Sequence, residues 1–158
     1  MTVFQIFIRP ASEADRPFLD SLNDRLIQEA VAPGLTRADF AAFQRRYTKS
    51  ALDTPSSPAT TLVATDGGGK RLGYVHLEST EDSLSGTTAG YVSILAVTAE
   101  AEGKGAATKL MEEAESWARA QGYRFLLLDV FGSNATARRF YRNKGYETDS
   151  SRMRRPID

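Results

Sequence analysis

Leu95-Ala96-Val97-Thr98-Ala99-Glu100-Ala101-Glu102-Gly103-Lys104-Gly105-Ala106-Ala107-Thr108-Lys109-Leu110 joins an apolar strand to a helix through a polar turn and a Gly-Lys-Gly loop. A helix N-terminus exposes unpaired backbone N–H groups and the positive end of the macrodipole. Glycines there let an anion approach the backbone, so the geometry suits a phosphate or pyrophosphate. The same residues also suit a tight connection closed by glycine. Two familiar phosphate loops fit poorly. The dinucleotide fingerprint requires a third glycine where Thr108 stands, and the P-loop requires Ser or Thr where Gly105 follows Lys104. Gly67-Gly68-Gly69-Lys70 fails as a P-loop because Arg71 comes next, and it reads as a hairpin turn.

Outward from this stretch the chain alternates strands and helices. On the N-terminal side, Ala89 to Val97 is apolar on both faces, as expected of a central strand. Before it, Thr60–Thr65 and Leu72–Ser79 form a hairpin across the triple glycine, and Pro55-Ser56-Ser57-Pro58 is a loop. Val3 to Arg9 is a strand rich in β-branched and aromatic residues. A helix follows to about Ala30, with Phe18, Leu19, Leu22 and Leu26 at helical spacing and either Ser12 or Asp15 as its cap. Pro33-Gly34 breaks it, and Thr36 caps a second helix through Tyr47. On the C-terminal side, Gly105 to Gln121 is a long helix whose Leu110, Ala114 and Trp117 follow core spacing. Arg124 to Val130 is the next central strand. Asn134 to Asn143 is a helix ended by Gly145, and one or two short strands follow from Tyr146. On residues alone this is a mixed sheet flanked by helices, with the strands ending at Val97 and Val130 parallel and joined by a right-handed crossover.

Glu102-x-x-Gly105-x-Ala107 is followed, after one helix and one strand, by Asn134-x-x-Ala137-x-x-Phe140-Tyr141 and then Lys144-Gly145-Tyr146. This order and spacing resemble the GCN5-related N-acetyltransferase superfamily, most strongly from about Tyr91 to Tyr146. The resemblance implies an α/β (α+β) acyl-CoA N-acyltransferase fold over a single domain, residues 1–158. Its sheet would be mixed and mostly antiparallel, with six to seven strands, a central splayed parallel pair and four flanking helices. It also implies acetyl-CoA as cosubstrate. Pantetheine would lie between the splayed strands and pair with the backbone of Leu95, Ala96 and Val97. The N–H groups of Gly103, Lys104, Gly105, Ala106, Ala107 and Thr108 would hold the pyrophosphate, with Lys104 adding charge. Asn134, Ala137 and Tyr141 would complete the cofactor site; helix capping explains Asn134 equally well. Glu102 departs from the family, which usually has Gln or Arg there, because a carboxylate cannot donate to phosphate and repels it.

Tyr141 carries the expected chemistry. The reaction releases a thiolate whose conjugate acid titrates near 8.5, against about 10 for tyrosine. A phenol about 3 Å from the sulfur can stabilise it by hydrogen bonding or proton donation. The residue can also be a core aromatic beside Phe140, and adjacent helical positions cannot both face the core fully. For the proton of the amine, many relatives have an acid on the strand before the pantetheine segment, where this chain reads Ser93-Ile94. His76 and Glu78 alternate to the same face as Tyr74, and either can relay a proton; so can a water chain, and a buried histidine is often purely structural.

Composition limits the alternatives. The 158 residues are 41% hydrophobic, with 20 basic and 20 acidic side chains, so no global basic field favours nucleic acid. Arg152, Arg154 and Arg155 read as a solvated edge. Cysteine is absent and there is one histidine, which removes thiol chemistry and gives no metal-ligand cluster. The apolar start stops at Arg9-Pro10 without a basic leader, and no run is long enough for a membrane, so a cytoplasmic location is expected. The favoured class is a transferase moving acetyl from acetyl-CoA to a primary amine by direct attack in a ternary complex. The others are a non-catalytic acyl-CoA-binding module and a nucleotide-binding domain. The acceptor amine is not readable, and a homodimer rests on family habit alone.

Overall fold

Alternation along two long strands sorts the side chains into two packed layers, one on each face of a sheet. The structure is a computed structural model and describes residues 4–157. Among these residues the sheet has five strands in sequential order: β1 (Phe7–Pro10), β2 (Thr60–Thr65), β3 (Arg71–Asp82), β4 (Thr87–Val97) and β5 (Leu126–Leu128). The first four are antiparallel neighbours, and β5 joins β4 in parallel. The α-helices are α1 (Arg16–Ser21), α2 (Asn23–Leu26), α3 (Arg37–Asp53), α4 (Ala106–Ala120) and α5 (Ala135–Asn143). Val75 and Leu77 face α4, packing with Leu110, Met111 and Ala114; Trp117 lies against this cluster. Tyr74 and Ile94 face the other way, against Leu19 of α1, Leu22 at the α1–α2 junction and Ala51 of α3.

The parallel pair is brief. Gly90, Tyr91 and Val92 pair with Leu126, Leu127 and Leu128, after which β4 continues alone on that side to Val97. This is the expected splay, and it leaves the last part of β4 with a strand partner only in β3. Register shifts within that pairing: His76 opposes Ile94 while Leu77 opposes Val92, so Ser93 is a bulged residue with no partner of its own.

Several expected boundaries are corrected. The sheet has five strands rather than six to seven, because none forms after Tyr146. From Glu147 to Ile157 every residue is exposed, and the polar run through Arg152 offers no apolar face to bury. Met153 and Ile157 are left isolated in solvent. The single helix expected before Ala30 is divided, which makes five helices rather than four. Ser21 Oγ donates to the Phe18 carbonyl at 2.6 Å, a side-chain bond that competes with helical pairing where α1 ends. Its start reconciles both candidate caps: a 3₁₀ turn (Glu13–Asp15) follows Ser12, and Asp15 then precedes α1. α3 runs beyond Tyr47 to Asp53, stabilised by buried Thr48 and Ala51 and by the Lys49–Asp53 pair at 2.7 Å. The first strand is shorter than expected, and Val3 lies outside the described residues. No helix among the described residues is long and apolar enough to cross a membrane.

Candidate active site

The turn after β4 is built to leave donors free. Gly103 and Gly105 have φ of +73° and +93°, values that disfavour any side chain. Gly105 caps α4 without a side chain to satisfy the first turn. Among the described residues, the N–H groups of Gly103, Gly105, Ala106, Ala107 and Thr108 have no acceptor in the protein. Lys104 differs from its neighbours: its N–H donates to Ala101 at 3.2 Å, and its ammonium sits 5.1 Å from the Phe4 ring centroid. Five of the six expected loop donors are thus available together.

Glu102 is not left facing this loop alone. Its carboxylate is paired with Arg25 of α2, which also donates from Nε to the Val97 carbonyl at 3.1 Å and from Nη1 to Gln28 at 3.0 Å. Arg25, Leu26, Leu95, Ala96, Val97 and Asn134 line one cleft on the open side of β4. The motif segments 39 residues apart in sequence, Leu95 and Asn134, therefore share one wall-to-wall space. Arg25 was not visible as a site residue, since nothing in local spacing connects it to Glu102.

Asn134 does cap α5: its Oδ1 accepts the Ala137 N–H at 3.0 Å, and its position on the cleft leaves the amide nitrogen without a protein partner among the described residues. Ala137 is half-buried and spends its N–H on this cap. Tyr141 and Phe140 are both half-buried against the α4-side core, with ring centroids 5.2 Å apart, so the burial is shared rather than given to one of them. Tyr146 packs on the other side of Tyr141 at 5.8 Å. The Tyr141 hydroxyl has no hydrogen-bond partner among the described residues, and burial raises its pKa well above the ordinary value.

A polar group lies on the opposite face, beneath α3. Glu78 accepts the Ser56 N–H at 2.8 Å on Oε1 and the Ser93 hydroxyl on Oε2. His76 is 3% exposed, with Nδ1 2.7 Å from Thr61 Oγ1. Among the described residues its Nε2 has no hydrogen-bond partner, and it stands 3.8 Å from Glu78 Oε2. Burial lowers the imidazole pKa, only partly opposed by Glu78, so the ring is neutral at neutral pH. Beside them, Tyr91 donates to Asp129, and burial raises the pKa of the Tyr47 phenol on α3, with the charges of Glu78 and Asp129 adding to the rise. Tyr47, Tyr91, Ser93 and Asp129 extend the expected pair. Counting rungs outward from the β3–β4 turn approaches Ser93, but the bulge that sets its facing is a tertiary feature.

The acetyltransferase (GNAT) family model matches residues 21–146. No curated protein matches the chain. A proposed acetyl transferase from Pyrococcus furiosus is 22% identical with a TM-score of 0.79, over 97% of this chain and 100% of that one. Aminoglycoside antibiotic 6'-N-acetyltransferase AAC(6')-IG from Acinetobacter haemolyticus is 20% identical with a TM-score of 0.68, over 96% and 99%. AAC(6')-Iy, in complex with the bisubstrate analogue CoA-S-monomethyl-acetylneamine, is 15% identical with a TM-score of 0.67, over 98% and 99%. At these identities the likeness establishes the shared fold.

Proposed function

We propose, because this chain belongs to the acetyltransferase (GNAT) family, that it transfers acetyl from acetyl-CoA to a primary amine, as one domain and by direct attack. The observation that carries this reading is the open edge of β4, Leu95 to Val97, leading through a 3₁₀ turn (Ala99–Ala101) into a loop with five N–H groups unsatisfied among the described residues. An extended chain bearing amides can pair with that edge, and a pyrophosphate can take the donors at its end. Arg25 supplies the cation that Glu102 does not, and its ion pair offsets the repulsion of that carboxylate. Asn134, with its amide nitrogen unpaired at the cleft, donates to the same bound chain.

The amine nitrogen attacks the thioester carbonyl carbon, the C–S bond breaks, and sulfur leaves as a thiolate. The nitrogen gives its proton to the Glu78 carboxylate, directly or through the Ser93 hydroxyl that is hydrogen-bonded to it. His76 stays neutral and holds an unpaired ring nitrogen toward Glu78. Tyr141 donates its O–H to the thiolate. Since its phenol is pushed above the ordinary tyrosine value while a thiol titrates near 8.5, the proton stays on oxygen and the stabilisation is a hydrogen bond. Screening CoA release from acetyl-CoA across diverse amines tests the reading. CoA binding without release with any amine leaves the non-catalytic module, and displacement of CoA by ATP supports the nucleotide-binding domain instead.

A further inference from the structure

We propose that the acceptor is an amine carrying a second cationic centre, with its reacting nitrogen at Glu78 and its second cation at Asp129. The inference rests on the transferase reading and names the substrate class for that site. Val92↔Leu128 is the last rung of the parallel pair, so Ser93 and Asp129 are the next residues on the two diverging strands. Each strand brings a carboxylate to this fork on the face beneath α3: Asp129 directly, and Glu78 from β3 through the Ser93 hydroxyl. A β4 hydroxyl orients each one, Ser93 for Glu78 and Tyr91 for Asp129. The Tyr47 hydroxyl lies among them, and both negative charges act on it.

What this cluster lacks is a counter-charge. Several other carboxylates are paired with arginine or lysine: Asp15 with Arg9 and Arg71, Asp53 with Arg16 and Lys49, Glu102 with Arg25. Among the described residues no lysine or arginine pairs with Glu78 or Asp129. His76 is neutral, and its buried Nε2, without a hydrogen-bond partner among the described residues, stands 3.8 Å from Glu78 Oε2. Glu78 is half-buried and Asp129 is exposed at the fork, so a ligand bearing two positive charges can pair with both. A monoamine compensates only one. An aromatic group adjoins Tyr47: Phe43, 39% exposed, stands 5.6 Å from Tyr47 and 6.1 Å from Phe131, ring to ring. Such a wall suits the methylene spacer of the ligand and adds attraction for its cations.

The test compares α,ω-diaminoalkanes of increasing length with the matching monoamines, diaminobutane against butylamine first, in the wild-type protein and in Asp129→Asn and Tyr91→Phe. Wild type should prefer the diamines in kcat/KM, and Asp129→Asn should cut the diamine-to-monoamine ratio by about ten- to a hundredfold, as for a lost charge-assisted hydrogen bond. Tyr91→Phe, which frees the carboxylate but keeps its charge, should cut it less. Calorimetric titration of diaminobutane into the CoA-saturated proteins provides a readout independent of turnover, and thermal melting identifies a variant that fails to fold. Equal use of diamines and monoamines by wild type, or a preference that survives in folded Asp129→Asn, overturns the assignment while leaving the transferase reading intact. Turnover of no amine at all overturns both.

Discussion

Arg25 and Glu102 form an ion pair across 77 residues of sequence, and the same guanidinium hydrogen-bonds the Val97 carbonyl at the open edge of β4. The pair links α2 to the end of β4 and to the start of the donor loop. Under the proposed pyrophosphate role of that loop, the pair offsets the repulsion of the carboxylate at its head: the opposite charge arrives from a distant helix.

Arg25→Ala is accordingly expected to weaken CoA binding by about ten- to a hundredfold, the loss of a charge-assisted hydrogen bond plus an uncompensated Glu102. The loss should be smaller in a Glu102→Gln background. It should also be smaller for pantetheine, which lacks the pyrophosphate. Calorimetry on both ligands checks this; equal losses for the two ligands would place the effect of Arg25 away from the phosphates.

Tyr141→Phe should leave folding and CoA affinity nearly unchanged, because the hydroxyl has no protein partner among the described residues to lose. Its kcat should fall by about ten- to a thousandfold, the range for losing a positioned donor. Steady-state kinetics with a competent acceptor decides; an undiminished kcat, with chemistry shown to be rate-limiting, rejects the role.

Glu78→Gln should reduce turnover most on the acid side of the profile, where the amine is largely protonated and removal of its proton matters most. His76 contributes no charge there at neutral pH, since burial holds it below the ordinary histidine value of about 6.5. A variant carrying His76→Ala and Glu78→Gln with the wild-type pH–rate profile would show that water, not this pair, accepts the proton.

Asp15 sets an acid limit on stability. It is fully buried and takes hydrogen bonds from Arg9 at 2.8 Å and Arg71 at 2.6 Å, tying β1, β3 and the start of α1 together. The Arg9 bond, with those from Ser12 and Arg71, depresses its pKa. The folded form therefore binds its proton less readily than the unfolded chain. Its stabilisation is complete above the unfolded value of about 3.9 and is lost as pH falls below it. Asp15→Asn should cost about 1–3 kcal/mol at neutral pH, limited by the partial exposure of both arginines, and should flatten the decline of Tm below pH 4.

Some of this site is local in origin and was legible in the chain. The left-handed glycines 103 and 105, the Asn134 cap, the hairpin over Asp66–Lys70 and the apolar run of β4 each depend on residues within a turn or a rung of one another. Composition and spacing report such features because local sterics and hydrogen bonds determine them. Leu95 and Asn134, which the family resemblance assigns to one ligand, line one cleft. Other features needed the packed molecule. The bulge that leaves Ser93 unpaired, the division of the first helix and the missing final strands depend on which surfaces find partners to bury. The charge pairing depends on it still more: Arg25 meets Glu102, and among the described residues Glu78 and Asp129 meet no lysine or arginine, because helices α2 and α3 dock on one face of a diverging pair of strands. Coulomb interaction acts through space over a few ångströms, and only the tertiary fold decides which charges come that close.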